Sequence, residues 1–422
     1  MNTFLTDDTK AVLLLCGVFG TDRSTKPLTQ TEYTALVRWL MRSEMRPSDL
    51  LEKEHIQEAS LGSGLDRQRL GLLLGGGVRL GFSVEEWQRN GIWIISRSDS
   101  DYPSRFKKNL KEKAPPLLFG VGDRSLLSGG GLAIVGSRNI DRDGEAFTRK
   151  AAEQSAENRL QVVSGGARGV DQIAMSAALN AGGIVMGILT DNLQKKSLER
   201  TARYALADGR LVLLSACHPN AHFTVGTAMG RNKLIYAMAD YGLVVSADHK
   251  KGGTWAGAEE ELKRPNSRPV FVRVGTNPPA GNKKLLEKGA VAWPDAIEKG
   301  HLKQILDELA ADAKEKRAWE SRSLFDLQVV PKVENIEKQQ LQVAEAPGEY
   351  TVSSKKVAPP ETIYEAALPL ILSRMGEPVT ASELAESLDV IKTQLSAWLK
   401  KAVGEKKVKK LTRPVRYQKE AE

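Results

Sequence analysis

The stretch Leu132-Ala133-Ile134-Val135-Gly136-Ser137-Arg138 places a short apolar run directly before a glycine turn. Further apolar runs follow at 160–163, 184–189, 211–214 and 243–245, with a helix-length segment between neighbouring runs. Apolar strands that alternate with helix-length segments are typical of a parallel sheet with helices on both faces. The pattern therefore predicts an α/β fold built on a Rossmann-like parallel sheet.

Glycine-rich or basic turns follow several of these runs, at the carboxyl ends of the strands where such sheets bind ligands. Glycine turns and helix N-termini present N–H groups to phosphate oxygens, and arginine or lysine adds charge-assisted hydrogen bonds. The predicted phosphate- or DNA-binding residues are Gly136, Ser137, Arg138, Ser164, Gly165, Gly166, Arg168, Arg231, Asn232, Lys233, Lys251, Gly252, Gly253 and Thr254. Single-strand sites combine basic grooves with aromatic side chains, and of Phe223, Tyr236 and Trp255 near these turns, Trp255 is the candidate for stacking on a base, with packing in the core as the alternative. The glycines also suit tight turns without a ligand, and Asp171 is expected to cap its helix.

Length and charge limit which class of protein this chain can belong to. A chain of 422 residues exceeds one typical core, so two or three domains are expected. The net charge of +9 favours an anionic partner, which nucleic acid, a membrane surface or an acidic protein could supply. Two cysteines, Cys16 and Cys217, form no disulfide framework and suit a reducing compartment. Without an apolar stretch of roughly 20 residues, the sequence predicts a cytoplasmic protein with no membrane partner.

Two domains are predicted before residue 320. Residues 1–91 have apolar residues at helical spacing and are interpreted as a helical domain of the SAM or helix-hairpin-helix type. Gly62 and Gly64 fit a turn that meets DNA, or simply a turn between packed helices. Residues 92–319 are assigned to the Rossmann-like core, which two proline-flanked strands would extend at one edge.

Residues 320–360 are predicted to be a linker, and residues 361–422 a winged-helix domain. An alternative places one long exposed helix in the linker, around 334–342. After the linker, Thr380 and Glu383 have the spacing of a capping box, and three helices precede two short basic strands. The predicted basic surface consists of Lys400, Lys401, Lys406, Lys407, Lys409, Lys410, Arg413 and Arg416. This surface suits duplex DNA or an acidic protein, and a solvated lysine-rich face is the alternative.

The signals for catalysis are weak. Pro219 lies between His218 and His222 and argues against a regular helix that would bring both to one metal. Cys217 has no evident orienting partner for a nucleophile. Glu259, Glu260 and Glu261 follow the Gly252-Gly253-Thr254 turn, and one of them could assist cleavage of a nucleotide. The sequence predicts no catalytic residue, no metal and no cofactor, with nucleotide cleavage as the alternative.

Three motifs carry a resemblance to a known family: 134–138, 163–171 and 230–235. In order and spacing they resemble the DprA/Smf family of DNA-processing proteins, most strongly over about 95–275. The resemblance implies a non-enzymatic homodimer that binds single-stranded DNA and helps to load a RecA-type recombinase during DNA uptake, natural transformation and recombination. It also implies that Arg138 and the Arg231-Asn232-Lys233 stretch line the DNA-binding pocket.

The chain departs from the family pattern at several positions. Met175 stands where the family usually has a histidine, and Ser246 replaces a glutamate. Gly252-Gly253-Thr254 is more similar to nucleotide-handling relatives, such as cytokinin-activating phosphoribohydrolases. These departures leave two further hypotheses open, a nucleotide-sensing or nucleotide-cleaving protein and a protein specialised in the response to foreign DNA.

Overall fold

A computed structural model describes residues 5–19, 25–264, 266–275, 278–295, 297, 300–326, 363–375, 377–388, 390, 392–405, 407–412 and 415–419. The chain divides into two compact units, Met1–Lys332 and Val333–Glu422. No helix within the described ranges is both long enough and apolar enough to cross a membrane.

Five helices form the N-terminal part of the first unit. They are α1 (Asp7–Cys16), α2 (Gln30–Arg42), α3 (His55–Ser63), α4 (Arg67–Leu74) and α5 (Gly77–Arg89). Side-chain caps define where α1 and α2 begin. The Thr6 side chain accepts a hydrogen bond from the N–H of Thr9, and Thr29 forms a capping box with Glu32. Gly64 ends α3 in the left-handed conformation at φ +72°.

A single sheet forms the centre of the first unit. Its strands are β1 (Trp93–Ser96), β2 (Leu117–Gly122), β3 (Leu132–Gly136), β4 (Val162–Ser164), β5 (Val185–Leu189), β6 (Leu211–Ser215), β7 (Tyr241–Ser246), β8 (Val270–Val272) and β9 (Val291–Ala292). Their spatial order is β1-β2-β6-β5-β4-β3-β7-β8-β9. All neighbouring pairs from β6 to β9 are parallel, which confirms the predicted parallel sheet. The proline-flanked strands β1 and β2 extend it at one edge in antiparallel pairing.

Helices connect the strands and cover the sheet. They are α6 (Ser104–Leu110), α7 (Arg142–Glu157), α8 (Val170–Asn180), α9 (Leu193–Ser197), α10 (Arg200–Ala207), α11 (Val225–Met238), α12 (Gly252–Leu262), α13 (Ala280–Glu287) and α14 (Leu302–Asp326). Helix α14 continues seven residues past the predicted start of the linker at residue 320, because 320–326 remain helical. Most of the predicted linker, including 334–342, lies outside the described residues.

In its described residues, the second unit has three helices and a hairpin. They are α15 (Ile363–Ser373), α16 (Ala381–Ser387), α17 (Lys392–Gly404), β10 (Val408–Thr412) and β11 (Val415–Lys419). Thr380 and Glu383 form the predicted capping box, and Val379 pairs with Tyr417 beside the hairpin. Leu384, Leu395 and Leu399 are buried in a small core of its own. The winged-helix assignment and the domain boundaries remain predictions.

Trp87 joins the N-terminal helices to the edge of the sheet. Its side chain is 1% exposed and lies 5.2 Å from Phe119 of β2 and 5.3 Å from His218, ring centre to ring centre, both in edge-on geometry. Buried aromatic side chains contribute large apolar areas, and edge-on pairs add to that contribution. The helices and the sheet therefore share one hydrophobic core.

We expect Trp87→Ala to lower the free energy of unfolding by about 3–5 kcal/mol, because a large buried side chain is replaced by a cavity. Chemical denaturation followed by circular dichroism measures this change. Phe82→Ala on the same helix is the control, since Phe82 is 73% exposed. Equal stability of the two variants would show that Trp87 does not connect the helices to the sheet.

Candidate functional site

The topology fixes where a ligand can bind. Strands β4, β5 and β6 lie on one side of β3, whereas β7, β8 and β9 lie on the other. The chain therefore reverses its direction of travel between β3 and β7, and this switch point is where open α/β sheets form a crevice. A register shift between Val135 and Gly136 occurs at the same end of β3.

A cleft of about 360 Å³ lies at this switch point. We call it the switch-point cleft, and its walls come from the turns after β3 and β7 and from the first turns of α11 and α12. Its lining residues are Val135, Gly136, Ser137, Arg138, Ala167, Asp171, Phe223, Ala228, Met229, Arg231, Asn232, Ser246, Ala247, Asp248, Lys251, Gly252, Gly253 and Thr254. Nine of the predicted binding residues are therefore brought together: Gly136, Ser137, Arg138, Arg231, Asn232, Lys251, Gly252, Gly253 and Thr254.

A buried ion pair lies in the wall of the cleft. Arg231 donates to an Asp171 carboxylate oxygen at 3.1 Å and to the carbonyl oxygen of Gly165 at 2.7 Å. The two side chains are only 10% and 4% exposed. The Nε–H of Arg231 has no hydrogen-bond partner among the described residues. Arg231 thus connects α11 to α8 and to the turn after β4.

The Asp171 carboxylate lies among the backbone N–H groups of the turns after β3 and β4. The backbone N–H groups of Ala167, Gly136 and Gly165 act on it as hydrogen-bond donors. Burial raises the pKa of Asp171, while Arg231 and these three N–H groups oppose the rise because they favour the ionised form. Asp171 therefore supplies a negative charge from within the chain to the turns after β3 and β4.

This geometry also corrects the role expected for Asp171. The residue before α8 is Gly169, at φ +89°, and it receives no side-chain cap. A Cβ on Gly169 would lie 2.4 Å from the carbonyl oxygen of Ser137, so the turn after β3 presses directly on the start of α8. Asp171 lies inside the helix and binds Arg231 instead of capping α8.

The start of α12 remains open to a ligand. Lys251 precedes the helix and no side chain caps it, so its first N–H groups keep free bonding capacity at the cleft. Gly252 has φ +74°, and Thr254 donates to the carbonyl oxygen of Gly136 at 3.1 Å. Helix N-termini favour anions, and the exposed Lys251 adds a positive charge.

Arg138 and Phe223 lie together at the cleft. The Arg138 guanidinium lies 4.5 Å from the centre of the Phe223 ring, and Phe223 is 42% exposed. An exposed aromatic face beside a cation is the combination that single-stranded nucleic acids use. The sequence analysis named Trp255 as the stacking candidate, but that side chain is only 4% exposed and packs against His249, as the alternative of core packing predicted. Burial leaves Trp255 no face for a base, because its position in α12 turns the ring towards the core.

Some predicted binding residues lie elsewhere. Ser164 is fully buried and donates to the carbonyl oxygen of Ile134, so it is unavailable to a ligand. Arg168 is exposed and donates to Asn139, and Gly166 accepts from Lys196. Lys233 pairs with Glu260 at 3.0 Å in a separate pocket.

The glutamates considered for catalysis do not line the switch-point cleft. Glu261 is buried and accepts from Arg264 and Arg268 at 3.0 Å. Lys288 holds the pKa of Glu259 below its usual value, the opposite of what a general acid needs. Cys217 is also unsuited to catalysis, because burial raises the pKa of its thiol and disfavours a thiolate nucleophile. Among the described residues, no group of three or more His, Cys, Asp or Glu side chains could hold a metal.

The predicted basic surface of the second unit is exposed wherever the structure describes it. Lys400, Lys409, Lys410 and Arg416 are exposed, and the pairing of β10 with β11 puts Lys409 and Arg416 on the same face. Glu405 partly neutralises two further members, Lys401 at 3.9 Å and Lys407 at 2.9 Å. Lys406 and Arg413 lie outside the described residues.

Comparisons with known proteins agree with the fold of the first unit. A family model described as DNA recombination-mediator protein A matches residues 93–302. DNA processing protein DprA of Bacillus subtilis is 28% identical over 216 residues, which cover 49% of this chain and 69% of that protein. DNA processing protein DprA of Streptococcus pneumoniae is 32% identical over 166 residues, covering 39% of this chain and 57% of that protein. An X-ray structure of DprA from Streptococcus pneumoniae has a similar fold, with a TM-score of 0.56 and 22% identity over 72% of this chain and 98% of that one.

We expect Asp171→Asn to lower the free energy of unfolding by about 3–5 kcal/mol, because it leaves the buried charge of Arg231 without its partner. Thermal and chemical denaturation measure the loss. Asp143→Asn, at an exposed carboxylate in the first turn of α7, is the matched control. If Asp171→Asn is as stable as this control, the ion pair does not hold the turns together.

Proposed function

Since the chain belongs to the DprA/Smf family, we propose that it is a DNA-processing protein that binds single-stranded DNA in the switch-point cleft. The observation that carries the proposal is the contact between Arg138 and the exposed ring of Phe223 beside the open start of α12. These groups supply a phosphate contact, a stacking surface and a helix N-terminus within one cleft. The two curated DprA relatives are named DNA processing proteins, which supports this class of substrate.

Each part of the cleft has a distinct role in this proposal. One phosphate accepts hydrogen bonds from the first N–H groups of α12 and from Lys251, while Arg138 contacts a neighbouring phosphate. A base stacks on Phe223, an interaction that tolerates any sequence because every base has an aromatic face. Asp171 and Arg231 hold the walls in position and do not contact DNA. No catalytic step, metal or cofactor is assigned.

The proposal extends to partners. We infer that the protein forms a homodimer, acts in the cytoplasm and passes its bound strand to a RecA-type recombinase; the match to the recombination-mediator family supports this role. The second unit is proposed to be a winged helix that binds duplex DNA or a protein through the face containing Lys409 and Arg416. Separate binding assays with duplex DNA and with recombinase test these partners individually.

The departures at Met175 and Ser246 support a specialised role within this function. We propose that the protein acts on foreign DNA entering the cell, by transformation or from phage. A deletion strain should therefore lose transformation with linear DNA or become more sensitive to phage. Normal behaviour of the strain in both assays would contradict this part of the proposal.

A free nucleotide is the second candidate ligand. The cleft volume of about 360 Å³ lies in the range of small-molecule sites. A salt titration of a fluorescent single-stranded oligonucleotide, with duplex and mononucleotide competitors, separates the two candidates. Tight binding that falls steeply with salt and resists mononucleotide supports single-stranded DNA, whereas easy displacement by mononucleotide supports the second candidate.

We expect Arg138→Ala to weaken oligonucleotide binding and to reduce the slope of log K against log salt by about 0.7, the value for one single-strand phosphate contact. Fluorescence titrations at several salt concentrations measure this slope. Arg200→Ala is the control, because Arg200 is another exposed arginine, 6.0 Å from the ring centre of Tyr204. Identical slopes for the two variants would place DNA outside the cleft.

We expect Phe223→Ala to weaken binding by about 5- to 150-fold, because stacking of one base on an aromatic side chain contributes about 1–3 kcal/mol. Its salt slope should stay that of the wild type, since no charge is removed. Phe82→Ala, at another exposed phenylalanine, controls for the general loss of a surface ring. Unchanged affinity in Phe223→Ala would rule out stacking at this position.

A further inference from the structure

A second pocket lies on the other side of α11. We call it the lateral pocket; it has a volume of about 210 Å³ and is lined by Leu110, Lys113, Gly230, Lys233, Leu234, Gly257, Glu260, Glu261 and Arg264. Helix α11 contributes Met229, Arg231 and Asn232 to the switch-point cleft, but Gly230, Lys233 and Leu234 to the lateral pocket. The first turns of α11 are therefore the wall between the two pockets.

The lateral pocket has exposed lysine side chains that can contact the phosphates of a nucleic acid. Lys113 is exposed and forms no ion pair with a described residue, and the exposed Lys107, Lys108 and Lys111 precede it in the chain. Lys233 pairs with Glu260, but both side chains are 45% exposed. Such an exposed pair contributes little free energy, so a phosphate can replace the carboxylate. Glu261 is buried and neutralised by Arg264 and Arg268, so it does not repel a strand.

Gly230 leaves one position on the surface of α11, between the two pockets, without a side chain. It lies in the exposed part of α11, and a Cβ built on it would meet no atom within 4 Å. No contact in the structure therefore requires glycine here, although glycine inside a helix is less favourable than alanine by about 1 kcal/mol. A missing side chain at this position lets a sugar-phosphate backbone pass close to the helix.

We propose that single-stranded DNA leaving the switch-point cleft crosses α11 at Gly230 and continues into the lateral pocket, where Lys113 and Lys233 contact its phosphates. This proposal rests on the function proposed above and adds a path for the nucleotides that flank the cleft. The helix is about 10–12 Å across, so only a strand longer than the cleft itself reaches both pockets. Affinity should therefore increase with length until the strand spans them.

The first test compares a dinucleotide, which is too short to cross the helix, with an oligonucleotide of about 20 nucleotides, which exceeds the usual site sizes of about 4–16 nucleotides. Lys113→Ala should weaken binding of the long strand by about 3- to 10-fold and reduce its salt slope by about 0.7, while the short strand is unaffected. Lys303→Ala, at an exposed lysine on α14, is the control. An equal effect of Lys113→Ala on both lengths, or on neither, overturns the proposal.

The second test blocks the crossing without removing a charge. Gly230→Gln adds a long side chain that favours helix, and because a Cβ at this exposed position meets no atom within 4 Å, the variant should fold normally. It should bind the short strand like the wild type and the long strand about 3- to 10-fold more weakly. Gly81→Gln is the matched control, because Gly81 is also exposed within a helix and has open space around it.

The outcomes separate this proposal from the one on which it rests. If the wild-type protein binds neither strand, the proposed function fails. If it binds the long strand through Arg138 while Gly230→Gln keeps full affinity for it, the cleft is correct and the path across α11 is wrong. If Gly230→Gln weakens both lengths equally, the side chain disturbs the cleft and the lateral pocket is not used.

Discussion

The buried ion pair between Asp171 and Arg231 is the interaction on which the ligand end of the sheet depends. It joins helix α8 to helix α11, and the same carboxylate attracts the N–H groups of the turns after β3 and β4. Burying two charges is costly unless each is paired and hydrogen-bonded, and this pair has both forms of compensation. The Asp171 carboxylate is part of the chain, so it holds the turns in position in the absence of a ligand. In the proposed function, these two glycine turns therefore hold the scaffold, whereas the start of α12 and Arg138 bind the strand.

Most of the fold was predictable because its signal is local. Apolar runs alternating with helix-length segments predicted the parallel sheet, and the prolines before β2 predicted that β1 and β2 extend it at one edge. The predicted turns after β3 and β7, with the start of α12, do meet in one cleft. This followed from topology, because carboxyl ends of parallel strands share one edge of a sheet. The sequence therefore predicted which turns meet in this cleft, and DNA binding there stays a prediction.

The contents of the site were less predictable, because they depend on the direction of individual side chains. Asp171 was expected to cap a helix, but the left-handed Gly169 starts α8 earlier and carries Asp171 inward to Arg231. Trp255 and Phe223 both lie near the cleft in the chain, and only the rotation of α12 decides that Trp255 faces the core. A similar rotation of α11 separates Lys233 from its neighbour Arg231 and puts the two cations in different pockets. Each residue turns a helix by about 100°, so which side chain faces a pocket depends on how the helix packs in the fold and not on composition.

The contact of Trp87 with Phe119 and His218 has a consequence for how this chain can change over evolutionary time. The N-terminal helices supply part of the solvent-excluding cover of the sheet's antiparallel edge, so the two regions share a single hydrophobic cluster. A substitution at Phe119 alters the space that Trp87 fills, and it must be matched on the helical side to restore packing density. The helical region is therefore not freely exchangeable with an unrelated module, and the two segments are constrained to diverge together.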